Sequence, residues 1–350
     1  MVRLADFSDC YDDVASTDGQ PGRLFLWFPV GLALRKVRRF LRRIDQTFTS
    51  TPTGALVVDA PSGYPEQLIL DLGDLLTEDE SADTRCVFKT GFDDLDVDDI
   101  RRVRTIGELC QLVASAWLVD ILRSDRLTSV FQPIVRADAP TTVFGREALV
   151  RGIAQDGRTV SPGSMFDAAR GCGMLPALDF AARRSAIRAV ATSHDDSGQL
   201  FLNFTPDALR DGVEALAPTI VAIDEAEILR ERVVFEVIDA EHAADFRHLR
   251  AVVDSVRGAG FRVALDDVGC AEHSRRLVHE VRPDFIKLDM RCVRSLPDQI
   301  GAAEQLMELA QQLKIETIAE GVETSDELRW NRERGATYVQ GFFIARPAAL

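Results

Sequence analysis

Two adjacent carboxylates, Asp266 and Asp267, follow the strand-like segment Arg262–Leu265. Apolar residues alternate in that segment, so Asp266 comes where a strand would leave a hydrophobic core. Neighbouring acids repel each other, and a fold that directs both at one point must hold a cation there or protonate one of them. Taken alone, the pair is typical of a solvated turn after a strand; repeated elsewhere in the chain, the same pattern indicates a cation site.

Polar residues follow other strand-like segments in the same way. They are Glu147 after 141–144, Asn203 after 200–202, Glu236 after 232–235, Lys287 and Asp289 in and after 285–288, and Glu320 after 316–319, with Glu323 three residues further on. Roughly 20 to 55 residues of largely helix-like sequence separate successive strand ends, which is typical of βα units. In a β/α barrel all such ends open on one face. The spacing therefore predicts a divalent-metal site at a barrel mouth.

Length and composition restrict the class of protein. A chain of 350 residues accommodates a barrel of about 250 residues and a smaller unit. The formal charge of −15 argues against a nucleic-acid polymer or an anionic membrane surface as partner, although bound cations can still attract a small anion. The longest apolar run, Leu24–Leu34, is about half of what a membrane span needs. We expect a soluble, cytoplasmic protein with no membrane span.

Cysteine and histidine usage excludes other chemistries. The six cysteines are scattered without a Cys-x-x-Cys pair, so neither a zinc site nor a disulfide framework is expected, and reduced thiols fit a cytosol. The five histidines show no ligand spacing. A Ser-His or His-metal hydrolytic centre is therefore poorly supported.

Residues 1–104 are predicted to form a small α/β domain with a regulatory role. Strand-like segments lie at 24–30, 55–58, 67–70 and 86–89, and 34–44 reads as an amphipathic helix. The other face of that helix is basic, which indicates a solvated surface facing the acids of 93–99, or an anion or partner site. Thr105 and Glu108 form a capping-box pattern that opens a connecting helix over 105–126.

Ordered sequence blocks identify a family for the remainder of the chain. These blocks are Gln132-Pro133-Ile134, Arg146-Glu147-Ala148-Leu149-Val150-Arg151, Leu202-Asn203, Phe235-Glu236, Leu265-Asp266-Asp267, Ile286-Lys287-Leu288-Asp289, Ala319-Glu320-Gly321-Val322-Glu323 and Tyr338-Val339-Gln340-Gly341. Residues 127–350 resemble the EAL domain, a bacterial phosphodiesterase that hydrolyses cyclic di-GMP. The resemblance implies an α/β fold, a TIM-like (β/α)8 barrel whose first strand is antiparallel to the others.

The resemblance also implies two Mg²⁺ or Mn²⁺ ions at the barrel mouth. By position, Glu147, Asn203, Glu236 and Asp266 would hold the first ion. Asp266 would bridge to the second, with Asp267 and Glu320. Oxygen ligands of this kind suit hard divalent cations. Glu320 or Lys287 would orient or deprotonate the attacking water, with Glu147 as the third catalytic residue.

Substrate contacts and assembly follow from the same resemblance. Gln132, Arg151, Asp179 and Gln340 match positions that contact the nucleotide in the family, and the implied product is linear pGpG. Arg151 suits a phosphate because its planar fork donates two hydrogen bonds. Asp179 has a second interpretation, since an acid that opens a helix is commonly a cap. The resemblance implies a homodimer.

One loop departs from the family pattern. After the aspartate pair the family usually has Phe-Gly-Thr-Gly, whereas this chain has Val268-Gly269-Cys270-Ala271. Asp239 replaces a longer acid that braces this loop, and Cys270 and Glu323 complete the predicted loop support. The departure leaves two functions open: a metal-dependent cyclic di-GMP phosphodiesterase regulated by the N-terminal domain, or a weak or inactive EAL domain that acts as a cyclic di-GMP receptor or partner-docking module.

Overall fold

A computed structural model of the chain contains two compact units. It describes residues 19–29, 31–52, 54–193, 198–205, 216–238, 240, 245–269, 271–289 and 297–350. The first unit comprises residues up to Arg126 together with 154–178, and the second comprises 127–153 and 179–350. Within the described ranges, every helix is too short or too polar to cross a bilayer.

The first unit contains a five-stranded antiparallel sheet in the order β2-β3-β1-β4-β5. Its strands are β1 (Gly22–Trp27), β2 (Phe48–Ser50), β3 (Leu56–Ala60), β4 (Arg85–Thr90) and β5 (Arg104–Thr105). Its helices are α1 (Gly31–Arg43), α2 (Pro65–Leu75), α3 (Glu78–Asp83), α4 (Val97–Arg101), α5 (Ile106–Ala114), α6 (Ala116–Arg123) and α7 (Pro162–Gly171), and the short strand β8 is Thr159–Val160. Apolar side chains from the sheet and from α1, α2 and α5 form one core.

The strand predicted at Gln67–Leu70 is wrong, because these residues lie in α2. Pro65 occupies the first turn of the helix, where its missing N–H costs no hydrogen bond. Leu68, Ile69 and Leu72 are buried together on one face of α2. Spacings of one, three and four residues define a helical face, and a four-residue apolar segment alone does not distinguish it from a strand.

The segment predicted as one connecting helix contains two, α5 and α6. Thr105 accepts a hydrogen bond from the N–H of Glu108, and the Glu108 carboxylate accepts one from the N–H of Thr105, so the predicted capping box is present. Ser115, with φ −98° and ψ 9°, separates the two helices. Its amide N–H still donates to Gln111 and Leu112, so the break leaves that donor satisfied.

The basic face of α1 does not use the acids of 93–99 as partners in the described part of the chain. Lys36 Nζ lies 2.6 Å from Glu80 Oε2 in α3. Asp96 and Asp99 instead pair with Lys89, at 2.9 and 2.6 Å from its Nζ. The acidic segment therefore caps and anchors its own short helix α4.

The second unit is a closed eight-stranded barrel. Its strands are β6 (Leu127–Arg136), β7 (Val143–Ile153), β9 (Gln199–Phe204), β10 (Val233–Val237), β11 (Arg262–Val268), β12 (Phe285–Asp289), β13 (Glu316–Glu320) and β14 (Tyr338–Val339). Strand β7 pairs in parallel with β9, and β9 to β14 pair in parallel in sequence order. Strand β6 closes the barrel by pairing antiparallel with both β14 and β7. This topology confirms the predicted TIM-like barrel with an antiparallel first strand.

Helices between the strands bury the outer surface of the barrel. They are α8 (Leu175–Ser193), α9 (Ala217–Glu225), α10 (Phe246–Gly258), α11 (Glu272–Val281), α12 (Pro297–Leu313) and α13 (Ser325–Glu333). Outward side chains such as Leu202, Phe235 and Leu265 are buried against apolar residues of these helices in one large cluster. Because side chains alternate along a strand, the intervening residues point into the barrel.

The barrel interior has an apolar layer and, two residues further along most of the parallel strands, a polar layer. The apolar layer consists of Ile134, Phe201, Val234, Ala264, Phe285, Ile318 and Tyr338, with Phe144 packed against it. Moving two residues from Phe201, Val234 and Phe285 reaches Asn203, Glu236 and Lys287. The apolar layer thus seals one end of the barrel and leaves the polar layer at the carboxyl ends of the strands.

Candidate metal centre and active site

The polar layer receives one side chain from each barrel strand or from the residue just beyond it. Its members are Gln132, Glu147, Asn203, Glu236, Asp266, Lys287, Glu320 and Gln340. The antiparallel β6 contributes Gln132, two residues before Ile134, because its direction is reversed. Every member of this layer was predicted from the sequence as a site residue. The common end of the barrel strands explains why residues 208 positions apart, Gln132 and Gln340, form a hydrogen bond of 3.2 Å.

Lys287 lies at the centre of this layer, with its side chain 1% exposed. Its Nζ lies 2.5 Å from Glu320 Oε1 and also contacts Glu236 Oε1. Asp266 Oδ1 is at 3.1 Å and Glu147 Oε2 at 3.3 Å. One ammonium group therefore neutralises part of the charge of four carboxylates.

Amide side chains hold Glu147 in place. Asn203 Nδ2 donates to Glu147 Oε1 at 3.2 Å, and Gln340 Nε2 donates to Glu147 Oε2 at 2.7 Å. Gln132 Nε2 donates in turn to the carbonyl of Ala345 at 3.1 Å. Buried hydrogen bonds of this kind fix a carboxylate in one orientation, as expected of a preorganised ligand.

The aspartate pair converges because the end of β11 is irregular. Consecutive strand residues point to opposite faces, which would separate the two carboxylates. Asp267 adopts the left-handed conformation with φ 48°, and the pairing of β11 with β12 shifts register between Leu265 and Val268. The carboxylates of Asp266, Asp267 and Glu320 consequently offer oxygens within 4.8 Å of one another. Left-handed backbone in a non-glycine residue is uncommon and often marks a functional site.

Two overlapping acidic clusters result. The inner cluster is Glu147, Glu236 and Glu320, and the outer cluster is Asp266, Asp267 and Glu320; within each, ligand oxygens lie within 4.8 Å of one another. Among the described residues, the buried Asn203 Oδ1 and Glu236 Oε2 have no hydrogen-bond partner. Oxygen atoms that accept no hydrogen bond and lie beside clustered carboxylates are suitable ligands for a hard divalent cation such as Mg²⁺, Mn²⁺ or Ca²⁺.

Burial and mutual repulsion govern the protonation of these acids. Burial raises the pKa of Glu236 well above its usual value, against the opposing charge of Lys287, and it does the same to Glu320. Burial also lowers the pKa of Lys287, but the four surrounding carboxylates outweigh it and hold that pKa well above its usual value. Four carboxylates around one ammonium thus leave an excess of negative charge, which favours a bound cation.

A cavity of about 290 Å³ opens directly above the polar layer. It is lined by Gln132, Glu147, Leu149, Asp267, Asp289, Glu320, Gly321, Glu323, Gln340, Gly341 and Phe342. Sequence reasoning placed Asp289 after a strand without giving it a role, and it missed Phe342. Phe342 is 53% exposed, and the guanidinium of Arg346 lies 4.5 Å from its ring centre. The signal available in the sequence was an aromatic residue directly after Gln340-Gly341.

Two of the predicted substrate-binding residues, Arg151 and Asp179, do not line the cavity. Arg151 is half-buried and donates from Nη1 to the carbonyl of Val150 at 2.8 Å. Asp179, in α8, is 2% exposed and forms a buried ion pair with Arg183. Neither belongs to the described residues that line the cavity. Glu323 does line it, whereas the loop-support residues Asp239 and Cys270 lie outside the described residues.

Comparison with known proteins identifies the family. The EAL domain model matches residues 115–347, more than half of the chain. The chain belongs to the EAL domain family, which confirms the resemblance predicted from the sequence. A curated relative from Escherichia coli K12, "Probable cyclic di-GMP phosphodiesterase PdeB", is 26% identical over 239 residues, which cover 65% of this chain and 44% of PdeB. The chain thus matches less than half the length of that relative.

Solved structures of the family share the barrel. A standalone EAL protein from Vibrio cholerae O395 in its c-di-GMP-bound form is 26% identical, with a TM-score of 0.54 over 63% of this chain and 92% of that one. The Bacillus subtilis YkuI protein, solved with c-di-GMP and calcium, is 23% identical, with a TM-score of 0.58 over 67% of this chain and 59% of that one. The second likeness supports the fold alone.

Gly341 allows two segments at the cavity to approach closely. A Cβ atom at this position would lie 2.1 Å from the carbonyl oxygen of Val322, so the backbone would have to move. We expect Gly341→Ala to cost about 1–3 kcal/mol of stability, as overpacking does in a close-packed interior. Thermal unfolding should show a lower midpoint than for the control Gly258→Ala, whose added Cβ meets nothing within 4 Å. Equal midpoints for the two variants would contradict this account.

Proposed function

We propose that the chain is a metal-dependent phosphodiesterase that hydrolyses cyclic di-GMP to linear pGpG. The observation that carries the proposal is the complete polar layer, because both acidic clusters and two of its amide side chains contribute residues to the wall of one cavity. Membership of the EAL domain family and the names of its relatives supply the substrate. A purely structural barrel has no need of four buried or half-buried acids around one lysine.

The residues divide into those that would hold cations and those that act on substrate. Glu147, Asn203, Glu236 and Asp266 would hold one divalent ion, and Asp266, Asp267 and Glu320 a second. When bound, two such ions supply Lewis acidity and lower the pKa of a water molecule. Magnesium or manganese is the proposed metal, because both prefer carboxylate and amide oxygens.

Glu320 is the base that we propose for the reaction. It belongs to both clusters and lines the cavity, so it faces a water molecule placed between the acids and the substrate. The water oxygen bonds to one phosphorus, and Glu320 accepts the proton that the water loses. One phosphorus–oxygen bond to ribose breaks, and the departing oxygen takes up a proton. Gln132 and Gln340 lie in the cavity wall, where they would bind the substrate. Gln340 also keeps Glu147 oriented during this step, and Gln132 accepts a hydrogen bond from Gln340.

Removal of divalent metal should abolish turnover. We expect the purified full chain to convert cyclic di-GMP to pGpG with Mg²⁺ or Mn²⁺, to stop in excess EDTA, and to recover when metal is returned. Separation of the nucleotides by chromatography measures both substrate and product. Tight binding of cyclic di-GMP without turnover under any of these conditions would instead make the chain a receptor for the nucleotide.

The assignments outside the barrel are proposals of the same kind. We propose that residues 1–104 regulate the activity and that 105–126 connect them to the phosphodiesterase domain, 127–350. We also propose that the chain acts as a homodimer in the cytoplasm. Sedimentation of the full chain, and turnover of a chain truncated before Leu127, test the dimer and the regulation separately.

A further inference from the structure

Lys287 occupies the position at which the inner cluster would hold a cation. Its Nζ contacts Glu147, Glu236 and Glu320, which are all three carboxylates of that cluster. The side chain of Lys287 is 1% exposed and those of Glu147 and Glu236 are 9% and 0% exposed, so water screens these charges little. The outer cluster differs, because its Asp267 is exposed at the cavity.

We propose that the Lys287 ammonium is the resident cation of the inner cluster in the metal-free protein and that a divalent cation must displace it. This inference rests on the proposed function. A cation coordinated by the inner carboxylates would take oxygen ligands at about 2.0–2.6 Å, which is the space that Nζ fills. Two positive charges cannot share that space, so the ammonium and the metal compete for the same oxygens.

The hydrogen bonds of the centre show that lysine substitutes incompletely for a metal. Asn203 Oδ1 and Glu236 Oε2 are buried without a partner among the described residues. An ammonium has three donors, whereas Mg²⁺ or Mn²⁺ takes about six oxygen ligands. Lys287 therefore holds the carboxylates together but leaves these two oxygen atoms available to coordinate a metal ion. It follows that the inner cluster binds a divalent cation only when Nζ withdraws from its carboxylates.

Lys287→Met tests the competition, because methionine keeps the length of the side chain and removes its charge. In EDTA, we expect the full-length variant to unfold about 5 °C or more below the wild type, and Mn²⁺ to restore its stability. Calorimetric titration with Mn²⁺ should give a Kd about tenfold or more lower than that of the wild type at one site. The matched control is Lys89→Met, which removes a lysine paired with Asp96 and Asp99 in the first unit. It should leave Mn²⁺ binding unchanged.

Each outcome decides one claim. Equal Mn²⁺ affinities for the wild type and Lys287→Met would overturn the competition while leaving the proposed function intact. Absence of Mn²⁺ binding by the wild type would overturn the proposed metal centre itself. If the variant does not fold even with Mn²⁺, a crystal structure of the wild type with Mn²⁺ decides. Loss of the contact between Nζ and Glu236 supports the inference, and an Nζ that still contacts all three inner carboxylates around bound Mn²⁺ refutes it.

Discussion

Glu147→Gln is expected to lower turnover of cyclic di-GMP by about 1000-fold or more, because it removes a charged ligand at the centre of the polar layer. Glu147 contacts Lys287 and accepts hydrogen bonds from Asn203 and Gln340. Glutamine keeps the shape but offers one acceptor oxygen, so one of the two amide donors loses its partner. That loss should cost about 1–3 kcal/mol of stability, which is too little to unfold the barrel.

A matched variant separates the ligand role from a general loss of negative charge. Asp289 lines the same cavity but belongs to neither acidic cluster. We expect Asp289→Asn to lower turnover by less than about tenfold, well short of the loss expected for a metal-coordinating carboxylate. Initial rates at saturating metal, with thermal unfolding measured in parallel, make the comparison. Similar losses in the two variants would show that charge in the cavity matters and that coordination by Glu147 does not.

The polar layer was predictable from the sequence because strand alternation is a local rule. Asn203, Glu236 and Lys287 each follow an apolar inward residue by two positions, and the strands that carry them are separated by typical βα spacing. The closure of the barrel depends on long-range pairing of β6 with β14, which no local pattern contains. Only the resemblance to a family supplied the antiparallel first strand.

The convergence of Asp266 and Asp267 could not be predicted from alternation. A regular strand would place these neighbours on opposite faces, and the left-handed backbone of Asp267 is what brings them to one side. Aspartate tolerates that conformation better than most residues do, but the sequence does not show where it occurs. Local sequence also does not show which polar side chains are buried. The four-residue spacing of Asp179 and Arg183 is typical of an exposed pair on a helix, whereas both side chains are at most 3% exposed.

Asp179→Ala is expected to lower the thermal unfolding midpoint by about 10 °C, because it leaves the guanidinium of Arg183 buried without its carboxylate. Breaking a buried ion pair in this way costs about 3–5 kcal/mol. Arg183 also donates from Nε to Thr219 Oγ1 at 3.0 Å and lies 3.5 Å from the carbonyl of Asn203 through Nη1. The pair therefore ties α8 to the end of β9, the strand that carries Asn203.

Further variants of Asp179 and Arg183 distinguish this structural role from the nucleotide contact implied by the family. The double variant Asp179→Leu, Arg183→Met leaves no buried charge unpaired, so it should be more stable than either single variant. If Asp179 serves the ion pair, then Asp179→Asn and Arg183→Met should lower the unfolding midpoint alike and leave KM for cyclic di-GMP within about threefold of the wild type. If Asp179 binds the nucleotide, Asp179→Asn alone should raise KM at temperatures where both variants are folded. Because Asp179 is 2% exposed and does not line the described cavity, we expect the first result.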